Sequence, residues 1–211
     1  MLEVVNLQCT RGDRRLFSGV EFTVEAGELL HLYGHNGSGK TTLMRTLCGL
    51  ISPTEGEVRW NNLPIRKQRD EYAAELLYLG HKNGLKDDLT GVENLLVACR
   101  MAGLKVEEDR AWAVLEQMGL RGHEDLPSRV LSQGQQKRVA LAKLLLSRAQ
   151  LWILDEPFVG LDVAAVALLE NVLAEHVAGG GMVVLTTHQD VALTSGTAKK
   201  LRLGWKEDGC V

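Results

Sequence analysis

The 211-residue sequence predicts an α/β fold: a largely parallel, helix-covered sheet with a small antiparallel β flank and a helical lobe. Three observations carry this reading. The apolar run Leu29-Leu30-His31-Leu32-Tyr33 leads into Gly34-His35-Asn36-Gly37-Ser38-Gly39-Lys40-Thr41, which fits the pattern GxxxxGK[ST] at every fixed position. Strand-like runs at 151–154 and 182–187 flank a helical stretch at 163–177, the alternation that builds parallel sheets. Between His81 and Leu146 the apolar spacing is helical, and no convincing strand intervenes.

Taken in order, residues 2–7 and 20–24 read as short strands separated by the polar turn Arg11-Gly12-Asp13-Arg14-Arg15. A turn at 25–28 enters the strand before Gly34, and residues 42–50 read as a helix, with Leu43 and Leu47 spaced i,i+4. Ser52-Pro53-Thr54-Glu55-Gly56 is a turn, 57–60 a strand, Asn61-Asn62 another turn, and 75–79 a short apolar strand. Helices are expected at 92–102, 106–118 and 133–147, and a last strand at 199–203. The expected organisation is one domain over 1–211, with 1–80 and 147–211 forming the core and its β flank, and 81–146 the helical lobe.

Composition narrows the function classes. A formal net charge of −3 leaves no general nucleic-acid footprint, so no nucleic-acid partner is expected. Cys9, Cys48, Cys99 and Cys210 form no CxxC, which argues against a zinc ribbon and suits a reducing compartment. The first residues show neither a basic n-region nor a long apolar stretch. No apolar run approaches the ~18 residues of a membrane span, and the most apolar helical stretch, 139–146, is interrupted by Lys143. The expectation is a soluble chain that reaches a membrane only through a partner.

The Gly34–Thr41 segment dictates its own chemistry. Its glycines let backbone N–H groups converge on phosphates, Lys40 adds a positive charge for the β- and γ-phosphates, and Thr41 offers a hydroxyl to Mg²⁺. Thr42 follows at the positive N-terminus of the next helix. The run Leu151-Trp152-Ile153-Leu154-Asp155-Glu156 is a buried strand ending in two acids. Beside a phosphate loop, Asp155 is a candidate Mg²⁺ ligand and Glu156 a candidate general base, against the alternative of a solvated strand end. Ser132 opens a helix and is either a bare N-cap or part of an anion site. His188 ends an apolar strand and is either polar surface or a γ-phosphate contact.

Leu131-Ser132-Gln133-Gly134-Gln135 resembles the LSGGQ signature of ABC-type ATPases, with Gln133 in the third position instead of glycine. Phe158-Val159-Gly160-Leu161-Asp162 resembles that family's D-loop, and Met182 to His188 its switch-histidine strand. The likeness runs from about Leu2 to Leu203 and implies a P-loop NTPase core that binds ATP with Mg²⁺. It further implies an ATP-sandwich dimer with a second copy of the chain. One copy supplies residues 34–42, Asp155, Glu156 and His188, and the other Ser132, Gly134, Gln135 and Asp162. Two positions depart from the family pattern: Arg11 stands where an aromatic residue usually stacks on adenine, and His81 where a glutamine usually touches Mg²⁺ and water.

Leu79-Gly80-His81, Leu89-Thr90-Gly91-Val92-Glu93-Asn94-Leu95, Leu16-Phe17-Ser18-Gly19, the stretches 134–142 and 151–158, and Thr186-Thr187-His188-Gln189 resemble the ATP-binding subunits of bacterial cytochrome c maturation systems. This resemblance implies a peripheral protein at the cytoplasmic face of the inner membrane, with integral membrane subunits docking near 82–94. It also implies a cycle that drives haem export or releases a haem-loaded chaperone, with no haem bound directly by His81 or His35. The alternatives are an exporter subunit for another cargo and a soluble ABC-type ATPase acting on DNA or ribosomes. The single P-loop and the absence of a long heptad insertion weigh against the latter.

Overall fold

A computed structural model describes residues 1–187 and 197–204. The chain forms β1 (Leu2–Arg11), β2 (Arg14–Val24), β3 (Glu28–Tyr33), α1 (Lys40–Leu47), β4 (Glu55–Trp60), β5 (Leu63–Pro64), α2 (Arg69–Ala74) and β6 (Leu76–Leu79). There follow α3 (Gly91–Met101), α4 (Glu108–Gln117), α5 (Gln133–Leu141), β7 (Leu151–Asp155), α6 (Val163–Ala178), β8 (Met182–Thr186) and β9 (Thr197–Arg202). One sheet is four-stranded and antiparallel in the order β2-β1-β4-β5. The other is five-stranded and parallel in the order β6-β7-β8-β3-β9.

Side-chain alternation sorts the parallel strands between two cores, because successive residues of a strand point to opposite faces. Leu30 and Leu32 of β3, Leu151 and Ile153 of β7, and Met182 and Val184 of β8 pack with α1 and the antiparallel sheet. Leu29, Trp152, Leu154, Val183 and Leu185 pack on the other face with α3, α4, α5 and α6. Burial on both faces explains why β7 and β8 read as unbroken apolar runs in the sequence. Between β6 and β7 the chain forms helices and no named strand. Among the described residues no helix is long and apolar enough to cross a membrane.

Several expected bounds shift. β1 and β2 are longer than expected and pair down to Arg11 and Arg14, so the polar turn shrinks to Gly12 and Asp13. The buried pair Cys9 and Phe17 carries the hairpin outward, and Gly12 supplies the positive φ (58°) of the tip. Helix α2 was not expected. It has six residues and buries only Tyr72, too little periodicity to register, and the Tyr72 hydroxyl fastens it by donating to the Leu47 carbonyl (2.8 Å). Helix α5 stops at Leu141 and tightens into a 3₁₀ turn, Ala142–Leu145, instead of running to 147.

Candidate active site

The site lies at the C-terminal ends of β3 and β7, where open α/β sheets leave room for ligands. Beyond β3 the chain passes Gly34, where a side chain would have its Cβ 2.1 Å from the Leu203 carbonyl oxygen. Gly37 and Gly39 have positive φ (80° and 96°), and Gly39 opens α1, so the loop curls with its backbone turned inward. Lys40 folds back over this loop. Its ammonium donates to the Gly34 carbonyl (2.8 Å) and the His35 carbonyl (3.2 Å). The His35 Nδ1 donates to the Asn36 carbonyl (2.9 Å). Ser38 is buried, and its hydroxyl has no hydrogen-bond partner among the described residues. A buried polar atom left this way in a phosphate-type loop is suited to an incoming oxygen ligand.

A chain of short hydrogen bonds joins this loop to the acids. The Thr41 hydroxyl donates to Asp155 Oδ2 (2.9 Å), and the Thr186 hydroxyl donates to Asp155 Oδ1 (2.8 Å). The Glu156 backbone N–H donates to that same Thr186 oxygen (2.9 Å). Asp155 is 3% exposed, so its carboxylate is held almost wholly by these groups. Glu156 has a positive φ (53°), an uncommon conformation for a residue with a side chain. It turns the chain sharply off β7 and marks a place where local strain is held by the surroundings.

One cavity of about 470 Å³ is lined by Arg11, Asn36, Gly37, Gly39, Lys40, Thr41, Thr42, His81, Asp155 and Glu156, with Leu16 and Val159 completing the wall. A neighbouring cavity of about 460 Å³ shares Leu16 and Gly37 and adds His35, Ser38, Arg14 and Arg15. Most of the expected one-chain residues therefore converge, including Arg11 and His81, the two departures from the family pattern. His188 lies outside the described residues.

Ser132, Gly134, Gln135 and Asp162 do not line these cavities. Ser132 caps α5 in a reciprocal box: its hydroxyl accepts from Gln135 N (3.2 Å), and its own N–H donates to Gln135 Oε1 (2.8 Å). Gly134 lies so close to the Gly160 carbonyl that a Cβ would stand 2.8 Å from its oxygen. Asp162 caps α6 by accepting from Ala165 N (2.9 Å) and pairs with Arg138 of α5.

Sequence reasoning missed three participants. Thr186 reads as an ordinary strand residue, and only the fold shows that its hydroxyl joins the Asp155 carboxylate to the Glu156 backbone N–H. Asn94 is buried, and its side chain ties 86–90 to Ser128 Oγ (2.9 Å), where the helical segment leaves the core. Lys137 of α5 is buried, and its pKa is lowered by burial while the Asp155 and Glu156 carboxylates act to raise it.

The ABC transporter family model matches residues 17–159. The cytochrome c biogenesis ATP-binding export protein CcmA of Dechloromonas aromatica is 54% identical, over 97% of this chain and 100% of that protein. Among solved structures, an ABC transporter ATP-binding protein from Pyrococcus furiosus superposes with a TM-score of 0.81 at 26% identity, over 95% of this chain and 96% of that one. A dimeric ATP-binding cassette in a post-hydrolysis state with ADP and phosphate shares the fold, with a TM-score of 0.82 at 24% identity over 97% and 94% of the two chains. The chain belongs to the ATP-binding subunits of ABC transporters, among the cytochrome c biogenesis ATP-binding export proteins.

Proposed function

We propose that this chain is the ATP-hydrolysing subunit of a membrane ABC complex for c-type cytochrome biogenesis, driving haem export or the release of a haem-loaded chaperone. The observation that carries the ATPase part is the bonded chain Thr41–Asp155–Thr186–Glu156, opening on the same cavity as Lys40 and His81. The cargo part is supported by kinship with the CcmA proteins.

In this reading the loop from Gly34 to Thr42 holds the phosphates, and Lys40 exchanges its two carbonyl partners for the β- and γ-phosphate oxygens. Thr41 and Asp155 present hard oxygen donors 2.9 Å apart, a fit for Mg²⁺. Bound there, Mg²⁺ would neutralise charge on the β- and γ-phosphates. Glu156 accepts the proton of the attacking water, which His81 helps to orient, and the family resemblance gives His188 the γ-phosphate contact. Ser132, Gly134 and Gln135 of a second copy close the site over the γ-phosphate, and Asp162 lines the seam. Hydrolysis removes the shared ligand, and the two copies separate; that difference in affinity is what moves a membrane partner. The docking face includes 82–94, at the root of the helical lobe formed by 81–146. The protein would sit on the cytoplasmic face of the inner membrane without entering it.

Capture of the Glu156→Gln variant from detergent-solubilised membranes, with ATP and Mg²⁺, tests the assignment. Recovery of membrane subunits of cytochrome c maturation is the expected result. Recovery of an unrelated permease would keep the ATPase and discard the haem-linked role, and recovery of ribosomes or DNA-repair factors would overturn the transport reading.

A further inference from the structure

The hairpin tip beside the phosphate loop carries charge that its own chain leaves unbalanced. Arg11 and Arg14 stand directly opposite each other across β1 and β2, and Arg15 follows. Like charges so placed repel. All three are exposed, and none forms an ion pair or side-chain hydrogen bond with another described residue, nor does Asp13 between them. Arg11 lines the cavity that also holds Lys40, Thr41, Asp155 and Glu156. Arg14 and Arg15 line the neighbouring cavity, which shares Leu16 and Gly37 with the first. The tip therefore presents uncompensated positive charge to the phosphate loop.

Neither cavity is lined by a Phe, Tyr or Trp. Phe17 touches the loop, with its ring 3.0 Å from where a Gly39 Cβ would stand, but it is 3% exposed and offers no face to a ligand. In the reading above, Lys40, Thr41, Asp155 and Glu156 serve the triphosphate, Mg²⁺ and water, and His81 serves the water. The planar group left on the wall of that cavity is the Arg11 guanidinium. Such a plane stacks on a base face whatever the base. At a base edge it has five donors and no acceptor. Guanine presents two acceptors there, O6 and N7, where adenine presents N7 beside the N6 donor. A face contact treats the two purines alike, an edge contact favours guanine, and neither selects adenine. Exposure works in the same direction. Rejecting a near-isosteric base takes buried polar groups that the wrong base leaves unpaired, and every charged residue of the tip keeps contact with water.

We propose that this site takes purine nucleoside triphosphates without selecting adenine, GTP as well as ATP, and that the Arg11 guanidinium is the platform for the base. The inference rests on the ATPase reading above and concerns which triphosphate that site accepts.

Turnover of ATP, GTP and UTP by the membrane-extracted complex tests it, in the wild type and in Arg11→Lys, which keeps the charge and loses the plane. In the wild type, kcat/KM for GTP is expected within about fivefold of that for ATP, and UTP, with its smaller ring, about tenfold below both. In Arg11→Lys, KM for ATP and for GTP rises about tenfold. Inhibition by inorganic triphosphate, which has no base, stays within about twofold of the wild type in the same variant and shows that the site is folded. A larger GTP deficit, equal use of UTP, an unmoved KM in Arg11→Lys, or a parallel loss of inhibition by inorganic triphosphate overturns the inference. Near-normal turnover of Glu156→Gln would overturn the ATPase reading instead, and ATP alone reveals it.

Discussion

The corner where β3 and β7 end and the helix that Ser132 opens differ in where their polar groups turn. At the corner, polar groups reach across long stretches of sequence: Thr41 to Asp155, Thr186 to Asp155, Lys40 back to its own loop. Lys40, Thr41 and Asp155 line one cavity. At the start of α5 the polar groups turn inward on each other, Ser132 with Gln135, and line no cavity with the loop. One region gathers its polar groups around a cavity, and the other satisfies its own helix end: the capping box pairs Ser132 with Gln135 at the start of α5.

The sharpest way to break this comparison is Glu156→Gln. Turnover is expected to fall by roughly 10²–10⁴, the usual contribution of a general base, while ATP affinity of the isolated chain stays within a few-fold; single-turnover hydrolysis and equilibrium binding separate the two. Ser132→Ala probes the other half. The complex should lose about tenfold in kcat, and removal of the cap should cost about 0.5–2 kcal/mol of stability, but nucleotide affinity of the isolated chain should not move. A parallel loss of that affinity would show that both regions serve the same nucleotide within one chain. Thr186→Val keeps shape and removes the hydroxyl that joins the Asp155 carboxylate to the Glu156 backbone N–H. It should cost about 1–3 kcal/mol by leaving buried groups unpaired, read as a lower midpoint in urea, with a several-fold loss in kcat.

The smallest effect concerns the far side of the sheet. His176 of α6 stacks on Trp152 of β7, ring centroids 3.6 Å apart and nearly parallel. Burial holds its pKa below the ordinary imidazole value, with the backbone at Gln150 and Met182 acting the other way. The unfolded chain therefore binds the extra proton first as pH falls below about 6.5. Stability is full above that pH and declines as pH drops through the folded value. His176→Phe keeps the stack and should flatten Tm against pH between roughly pH 7 and pH 5, leaving ATP binding at neutral pH unchanged.

The phosphate loop and the acids of β7 were legible because their chemistry demands particular residue types in a fixed local order. Arg11 and His81 were legible as departures from a family pattern, and the structure brings both to the cavity. Thr186 was not: it is unremarkable within its own strand and acquires meaning only when β8 is laid beside β7. The fold class followed from apolar runs buried on two faces, and α2 escaped because a six-residue helix with one buried side chain leaves too faint a pattern.

The order of strands in the parallel sheet has a consequence for synthesis. Strand β3, which delivers the phosphate loop, is flanked by β8 and β9, and both come from the last part of the chain. The Leu203 N–H donates to the Tyr33 carbonyl (2.7 Å), and the Leu203 carbonyl closes over Gly34. A nascent chain that has reached α6 has made the whole nucleotide loop but neither of its sheet neighbours. The sheet neighbours that hold the loop thus arrive near the end of translation, when β8, β9 and Leu203 have left the ribosome.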